Sequence, residues 1–235
     1  MIKCDHKAEM PSDHILFWED SIMKKNLTEL VFIIDRSGSM SGFEDDTIGG
    51  FNSTIEKQKN DEGECLVSTV LFNSHVKVLH DRSPISKIKP MTIDDYGVYG
   101  GTALLDAVGG AIHHIGNIHK YSRDEDVPEH TIFVITTDGK ENSSRCYTKD
   151  QIKELIKRQT EKYGWEFIFL AANIDAIEAA SDIGIRRERA AGYRQSKDGY
   201  EAYYSSINKF VTMNRRYRSA EEIDREWKKD LDNEV

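Results

Sequence analysis

Apolar positions run through this chain in two rhythms. Leu30-Val31-Phe32-Ile33-Ile34 is an unbroken hydrocarbon run, and Thr131 to Thr137 and Phe167 to Ala172 repeat the pattern. Short continuous runs of this kind predict strands buried on both faces. Between them, apolar residues recur at helical spacing. Ile48, Phe51 and Ile55 form one stripe, with Asp45 and Asp46 placed in the first turn and Gly49-Gly50 weakening it. Leu104, Val108, Ala111, Ile115 and Ile118 form a second. Ile152, Leu155 and Ile156 form a third, behind a Thr148-to-Gln151 capping box. Cys65 to Asn73 and His75 to His80 read as an antiparallel pair at a sheet edge, joined at Asn73-Ser74. A short helix over 174–183, a last strand over 189–193 and a tyrosine-rich helix over 198–218 complete the pattern.

Strands buried on both faces, alternating with amphipathic helices, predict an α/β fold. The expected architecture is a Rossmann-like, doubly wound, mostly parallel sheet with one antiparallel edge strand and helices on both faces. The alternation assigns 28–218 to the α/β domain and 1–27 to an N-terminal extension that contains Ile15-Leu16-Phe17-Trp18. Residues 219–235 are expected to form a charged C-terminal helix or tail, with a Ser219-to-Glu222 capping box and a stripe of Ile223, Trp227 and Leu231. That helix either folds back on the domain or binds a partner.

The chain has 235 residues, 38% hydrophobic and 31% charged, with a net charge of -9. The acidic balance argues against nucleic-acid binding, which needs a surplus of Lys and Arg. The basic clusters Arg186-Arg187 and Arg215-Arg216-Tyr217-Arg218 read as solvated helix ends. No stretch approaches the ~20 apolar residues needed to span a bilayer. The three cysteines, Cys4, Cys65 and Cys146, are odd in number and widely spaced, which implies no disulfide framework. A reducing, cytoplasmic location is expected.

Two of the buried strands end in carboxylates, Asp35 and Asp138. In open α/β sheets ligands sit beyond the C-terminal strand ends, near the switch in strand order. Asp35, Ser37 and Ser39 alternate along one loop, so three side-chain oxygens can converge, with Gly38 relieving the turn. Asp138-Gly139 can reach the same point, and Thr102, after Gly100-Gly101, can supply a fifth oxygen. Hard divalent cations favour such oxygen sets. Each piece also has a plain structural reading: Asp35, Ser37, Ser39 and Thr102 as helix caps, and Asp138-Gly139 as a turn.

The stretch Asp35-Arg36-Ser37-Gly38-Ser39-Met40 resembles the D-x-S-x-S signature of the von Willebrand factor type A domain, with its metal-ion-dependent adhesion site. The family's separate threonine matches Thr102, and its separate aspartate matches Asp138. The resemblance covers roughly residues 28–195, and with its free cysteines the chain is more similar to the intracellular bacterial or phage branch than to secreted adhesins. It implies Mg2+ (or Mn2+ or Ca2+) held by Asp35, Ser37, Ser39, Thr102 and Asp138, and a protein partner that donates an Asp or Glu carboxylate to the metal. It implies a metal-dependent interaction module; with the acidic charge and the lack of a long apolar run, no nucleic-acid or membrane partner is expected, and no enzymatic role.

Two unit charges ~4 Å apart at a protein surface attract by about 4 kcal/mol, while association costs ~4–15 kcal/mol. The surrounding rim must therefore contribute, and Tyr96, Tyr99, Met40, Phe43 and Arg145 are candidates. Two alternatives remain open: a Mg2+-dependent phosphoryl-transfer enzyme with Asp35 as nucleophile, and a metal-free scaffold. Against the enzyme, the chain has no phosphate loop and no nucleophile elbow, and His113 and His114 fall mid-helix.

Overall fold

The computed structural model describes residues 23–172 and 175–232. Most of the expected N-terminal extension, including Ile15 to Trp18, lies outside the described residues, as does Ile174.

Among the described residues six strands form one sheet: β1 (Lys24–Asp35), β2 (Glu64–Phe72), β3 (Val76–Pro84), β4 (Pro128–Thr137), β5 (Glu166–Ala171) and β6 (Ala190–Gly192). Their order is β3-β2-β1-β4-β5-β6. Only β3 is antiparallel, on the β2 edge; the other neighbours pair parallel. The doubly wound α/β architecture expected from the periodicity is therefore present. The winding direction reverses between β1 and β4, so a crevice opens above their C-terminal ends. Asp35 is the last residue of β1 and Asp138 is the first beyond β4.

Because β1 is buried on both faces, its side chains divide between two cores. Leu30, Phe32 and Ile34 face helices α1 (Glu44–Lys59) and α5 (Lys197–Arg215), joined there by Phe51, Tyr204 and Phe210. Val31 and Ile33 face α2 (Leu104–Tyr121), α3 (Lys149–Tyr163) and α4 (Ala176–Asp182), joined by Ile112, Phe133 and Ile152. Each fully buried Phe or Ile of this kind contributes about 1.5–3 kcal/mol. The Thr148 capping box on α3 is complete, with both reciprocal hydrogen bonds formed, and the helix ends on Gly164 in the left-handed conformation.

The C-terminal stretch forms two short helices, α6 (Ala220–Glu226) and α7 (Lys229–Asp232), folded back on the domain. Trp227 is fully buried, stacks edge-on against Phe210 at 5.5 Å, and donates its indole N–H to the Glu188 carbonyl at 2.8 Å. Ser219 caps α6 through the Glu222 amide at 3.2 Å.

Of the basic residues expected to be solvated, Arg186, Arg187, Arg216 and Arg218 are exposed, but Arg215 is not. It is buried and donates to the Gln58 carbonyl and side chain, both at 2.9 Å, and to the carbonyls of Glu62 and Gly63. It thereby ties the last turn of α1 to the carbonyls just past its end, at Glu62 and Gly63.

Candidate metal centre

The Asp35 side chain is fully buried. Its Oδ1 accepts the Ser37 amide at 2.7 Å and its Oδ2 accepts the Thr137 hydroxyl at 2.6 Å. Its backbone carbonyl accepts the hydroxyl of buried Tyr96. After Ser37 the chain makes one 3₁₀ turn, Gly38–Met40, which brings the Ser37 and Ser39 hydroxyls to 3.0 Å. The Ser39 hydroxyl donates to Asp138 Oδ1 at 2.6 Å, and Asp138 Oδ2 accepts from Gln195 Nε2 at 3.0 Å.

Thr102 arrives from the loop before α2. Gly100 adopts φ +77°, and its carbonyl accepts the Gly38 amide at 3.0 Å, locking the two loops together. Gly38 itself has no positive φ; a side chain there would press on the Gly100 carbonyl at 3.4 Å. Thr102 is anchored on the third loop: its amide donates to Asn142 Oδ1 at 2.9 Å, and its carbonyl accepts the amides of Asn142 and Ser143. A Cβ placed on Gly139 would lie 3.5 Å from the Thr102 hydroxyl and 3.4 Å from the Ser39 hydroxyl. Hydrogen bonds thus link Asp35, Ser37, Ser39 and Asp138, and the Thr102 hydroxyl stands near Gly139 beside Ser39, so the structure brings the five candidate residues together from three loops.

The capping alternatives for these residues are not what the geometry shows. The N-cap position of α1 is Phe43 and that of α2 is Ala103, neither with a side-chain cap bond. Ser37 stands at the N-cap of the 3₁₀ turn without a side-chain cap bond either.

Electrostatically the site is anionic, with both carboxylates buried and Ser39 exposed. Asp35 and Asp138 are 0% and 2% exposed, and neither is in an ion pair among the described residues. Burial pushes the Asp35 carboxyl up to about 6, against the lowering pull of hydrogen bonds from Thr137 and Ser37, and the Asp138 charge adds to the rise. Two adjacent buried carboxylates without a cation are costly, and a dication offsets both charges. Among the described residues no group of three or more His, Cys, Asp or Glu is arranged to hold a metal ion. The donor set here is two carboxylates and three hydroxyls, all hard oxygens of the kind that suits Mg2+, Mn2+ or Ca2+.

Sequence reasoning missed three supporting residues. Thr137, which holds Asp35, carries a weak signal as a hydroxyl at the end of an apolar strand. Asn142 and Gln195 carry no local signal, because their roles depend on loops meeting in space. Of the rim candidates, Tyr96 and Met40 are core residues, 0% and 3% exposed, which corrects their assignment to a docking surface. Phe43 is half-buried and stacks on Tyr200. Tyr99, 55% exposed over the Arg36 guanidinium, and Arg145 do face solvent. His113 bonds the Gly109 carbonyl and Tyr147, and His114 pairs with Asp81, so neither joins the site. Cys146 is disulfide-bonded, contrary to the expectation of no disulfide, and this removes the cysteine argument for a reducing compartment and for the intracellular branch. No described helix is long and apolar enough to cross a membrane.

No family model and no curated protein matches the chain. Solved structures do. A von Willebrand factor type A protein from Catenulispora acidiphila superposes with a TM-score of 0.53 at 12% identity, over 80% of this chain and 43% of that one. Proximal thread matrix protein 1 from the mussel byssus, with a zinc-occupied MIDAS motif, gives 0.54 at 17% identity, over 81% and 47%. The VWA2 paralog of ArnB from Sulfolobus acidocaldarius gives 0.50 at 17% identity, over 79% and 45%. The chain spans less than half the length of these structures, and at such identities the likeness is one of fold. The chain has the von Willebrand factor type A fold.

Proposed function

We propose that this chain is a divalent-metal-dependent protein-interaction module. Asp35, Ser37, Ser39, Thr102 and Asp138 would hold Mg2+, or Mn2+ or Ca2+ in its place, and a partner would bind through an Asp or Glu carboxylate. The observation that supports this reading is the meeting of two buried carboxylates, Asp35 and Asp138, with the Ser37, Ser39 and Thr102 hydroxyls on three neighbouring loops, with neither carboxylate in an ion pair among the described residues. A mussel protein of the same fold has a zinc-occupied MIDAS motif, which supports a metal at this place in the fold. When bound, the ion supplies a Lewis-acidic position for one anionic oxygen. The two aspartates just neutralise a dication and the hydroxyls add no charge, so an incoming carboxylate is still attracted.

The chain's own residues define the rest. Thr137 and the Ser37 amide hold Asp35 in place, Gln195 holds Asp138, and Asn142 holds Thr102. Tyr99 and Arg145 stand exposed on the surrounding loops, where a partner can reach them. The domain then acts by binding and not by catalysis.

Titration with Mn2+ followed by electron paramagnetic resonance tests the metal, and a pull-down with and without EDTA tests the partner. Uptake of one ion, lost in Ser37→Ala and Asp138→Ala, is expected, with partner capture lost on chelation. Capture that ignores EDTA and Asp35→Ala would overturn the reading. So would Mg2+-dependent hydrolysis of phosphate esters that disappears in Asp35→Asn.

A further inference from the structure

Arg36 stands between Asp35 and Ser37, yet no carboxylate pairs with it among the described residues. The residue is 7% exposed. Its Nη1 reaches the Gly97 carbonyl only at 3.4 Å, and its Nε is buried with no hydrogen-bond partner among the described residues. Asn73, fully buried, repeats the pattern. Its Oδ1 accepts the His75 amide at 2.9 Å, which fixes the amide plane, and its Nδ2 is left without an acceptor. Buried donors left in this way are costly, and two together call for an explanation.

Both donors belong to one corner of the rim. The Arg36 amide donates to the Phe72 carbonyl at 2.7 Å, and the Tyr99 amide donates to the Arg36 carbonyl at 3.1 Å. The Tyr99 ring lies 5.3 Å from the Arg36 guanidinium. The Asn73 amide, and after it the Arg36 cation, hold the Tyr99 hydroxyl below its ordinary value, and Lys77 adds to the pull. The phenol oxygen therefore occupies a position that favours negative charge. Lys77 Nζ donates to the Asp95 carbonyl at 3.3 Å, while the Asp95 carboxylate takes the amide and hydroxyl of Thr92.

We propose that Arg36, Asn73 and Lys77 form an anion subsite beside the candidate metal centre, and that it takes a second carboxylate of the same acidic partner. Tyr99 is its cover. The Tyr99 hydroxyl holds the place of the anion, and its ring, 55% exposed, turns outward without leaving a core when the carboxylate enters. The entering group gives the stranded Arg36 and Asn73 donors an acceptor, and a planar carboxylate suits a guanidinium edge. The inference rests on the metal-dependent reading for the partner's first carboxylate; the subsite itself is built from this chain's own donors.

Charge and spacing define the partner further. Asp35 and Asp138 neutralise a dication, so Arg36 and Lys77 are the cations left on this side of the rim to meet further negative charge. The chain's net charge of -9 repels a long polyanion such as a nucleic acid, which favours a short acidic motif. Arg36 and Ser37 are adjacent, with Cα atoms ~3.8 Å apart, so the two carboxylates must be near neighbours. In an extended peptide, residues i and i+2 point to the same face about 7 Å apart. The motif that fits is two acidic residues separated by one other.

The test uses the isotope-labelled full chain and two end-capped peptides, Gly-Asp-Gly-Asp-Gly and Gly-Asp-Gly-Asn-Gly. Nuclear magnetic resonance follows the Arg36 Nε–H and Asn73 Nδ2 signals in Mg2+ and in EDTA. In Mg2+ the diacid is expected to bind about tenfold more tightly than the monoacid and to move both signals, which the monoacid leaves in place. In Arg36→Gln the two peptides are expected to bind within about twofold of each other. Affinities are compared within each variant, so a change in metal binding cancels, and the wild-type signals decide the matter without the variant. Equal affinities in wild type, or an Arg36 signal that the diacid does not move, would overturn the proposal. A signal that moves with inorganic phosphate and not with the diacid would overturn it too, by assigning the subsite to a phosphate group. The metal reading fails separately: monoacid binding that is the same in Mg2+ and EDTA would sink it, while a diacid that still moves the Arg36 signal would uphold the subsite.

Discussion

Gln195 donates a hydrogen bond from Nε2 to Oδ2 of Asp138 at 3.0 Å, and it does so one residue before Ser196, the cap of helix α5. Ser196 accepts the Gly199 amide at 3.1 Å, so the turn that presents Gln195 is fixed by the start of that helix. A carboxylate expected to face a metal is thus oriented by a residue from a distant segment. Outer contacts of this kind typically tune metal affinity by 10–100-fold. Gln195→Ala is expected to weaken Mn2+ binding by about tenfold, with the urea midpoint nearly unchanged. Calorimetric titration measures the first and denaturation the second. Unaltered affinity would mean that Asp138 is held by Ser39 alone.

The raised Asp35 carboxyl makes the metal-free protein sensitive to pH. Its value is 3.8 without the fold and about 6 within it, so the native state binds this proton more tightly than the unfolded chain does. The resulting stability is full below about pH 4 and is lost as pH rises through about 6, a change on the order of 3 kcal/mol. Mg2+ prefers the ionised carboxylate, so it should restore stability above pH ~6 and bind progressively less well below it. The measurement is the urea midpoint in EDTA and in Mg2+ across this range, for wild type and for Asp35→Asn. Wild-type and variant curves of the same shape in EDTA would show that Asp35 is not the titrating group.

Much of the fold could be read from the chain because its central strands are uniformly apolar. Val31 and Ile33 enter one core and Phe32 and Ile34 the other, and only a strand covered on both sides tolerates that sequence. The five candidate oxygens were legible for a related reason: Asp35 and Asp138 interrupt or end such runs, and Ser37, Ser39 and Thr102 sit beside glycines. Placing neighbours in space was harder. Tyr96 looked like a loop aromatic, yet it turns inward because its hydroxyl finds the Asp35 carbonyl. Arg215 looked like a helix-end charge, yet the carbonyls at and just past the end of α1 draw it inside. In both cases the decisive partner is more than 60 residues away in sequence, beyond the reach of periodicity.

The Tyr96 contact yields a prediction about stability without metal. Its ring is fully buried and its hydroxyl serves the backbone of the strand that carries the site. Tyr96→Phe keeps the packing but leaves the Asp35 carbonyl without this donor, which should cost about 1–2 kcal/mol. The metal's side-chain oxygens are untouched, so Mn2+ affinity should change less than threefold (roughly, within the non-additivity of such contacts). A large loss of affinity with little loss of stability would reverse that division of roles.

Gly49 and Gly50 are adjacent in α1 and should respond oppositely to alanine. Nothing lies within 4 Å of a Cβ added at Gly49, so Gly49→Ala should stabilise the helix by up to ~1 kcal/mol through propensity alone. A Cβ at Gly50 would fall 1.9 and 2.0 Å from ring atoms of Tyr204 in α5. That ring cannot yield cheaply: it is buried in the core, packs edge-on against Tyr203 at 4.4 Å, and donates its hydroxyl to the Thr47 carbonyl at 2.9 Å. Gly50→Ala must either break that bond or push α1 from α5, and overpacking of this kind costs about 1–3 kcal/mol. Because Phe43, just before α1, stacks on Tyr200 of α5, the displacement would also reach the end of the sheet that bears Ser39 and Asp138. Paired urea denaturations settle the matter. Two variants of equal stability would show that α1 and α5 approach each other less closely than the Gly50–Tyr204 contact requires.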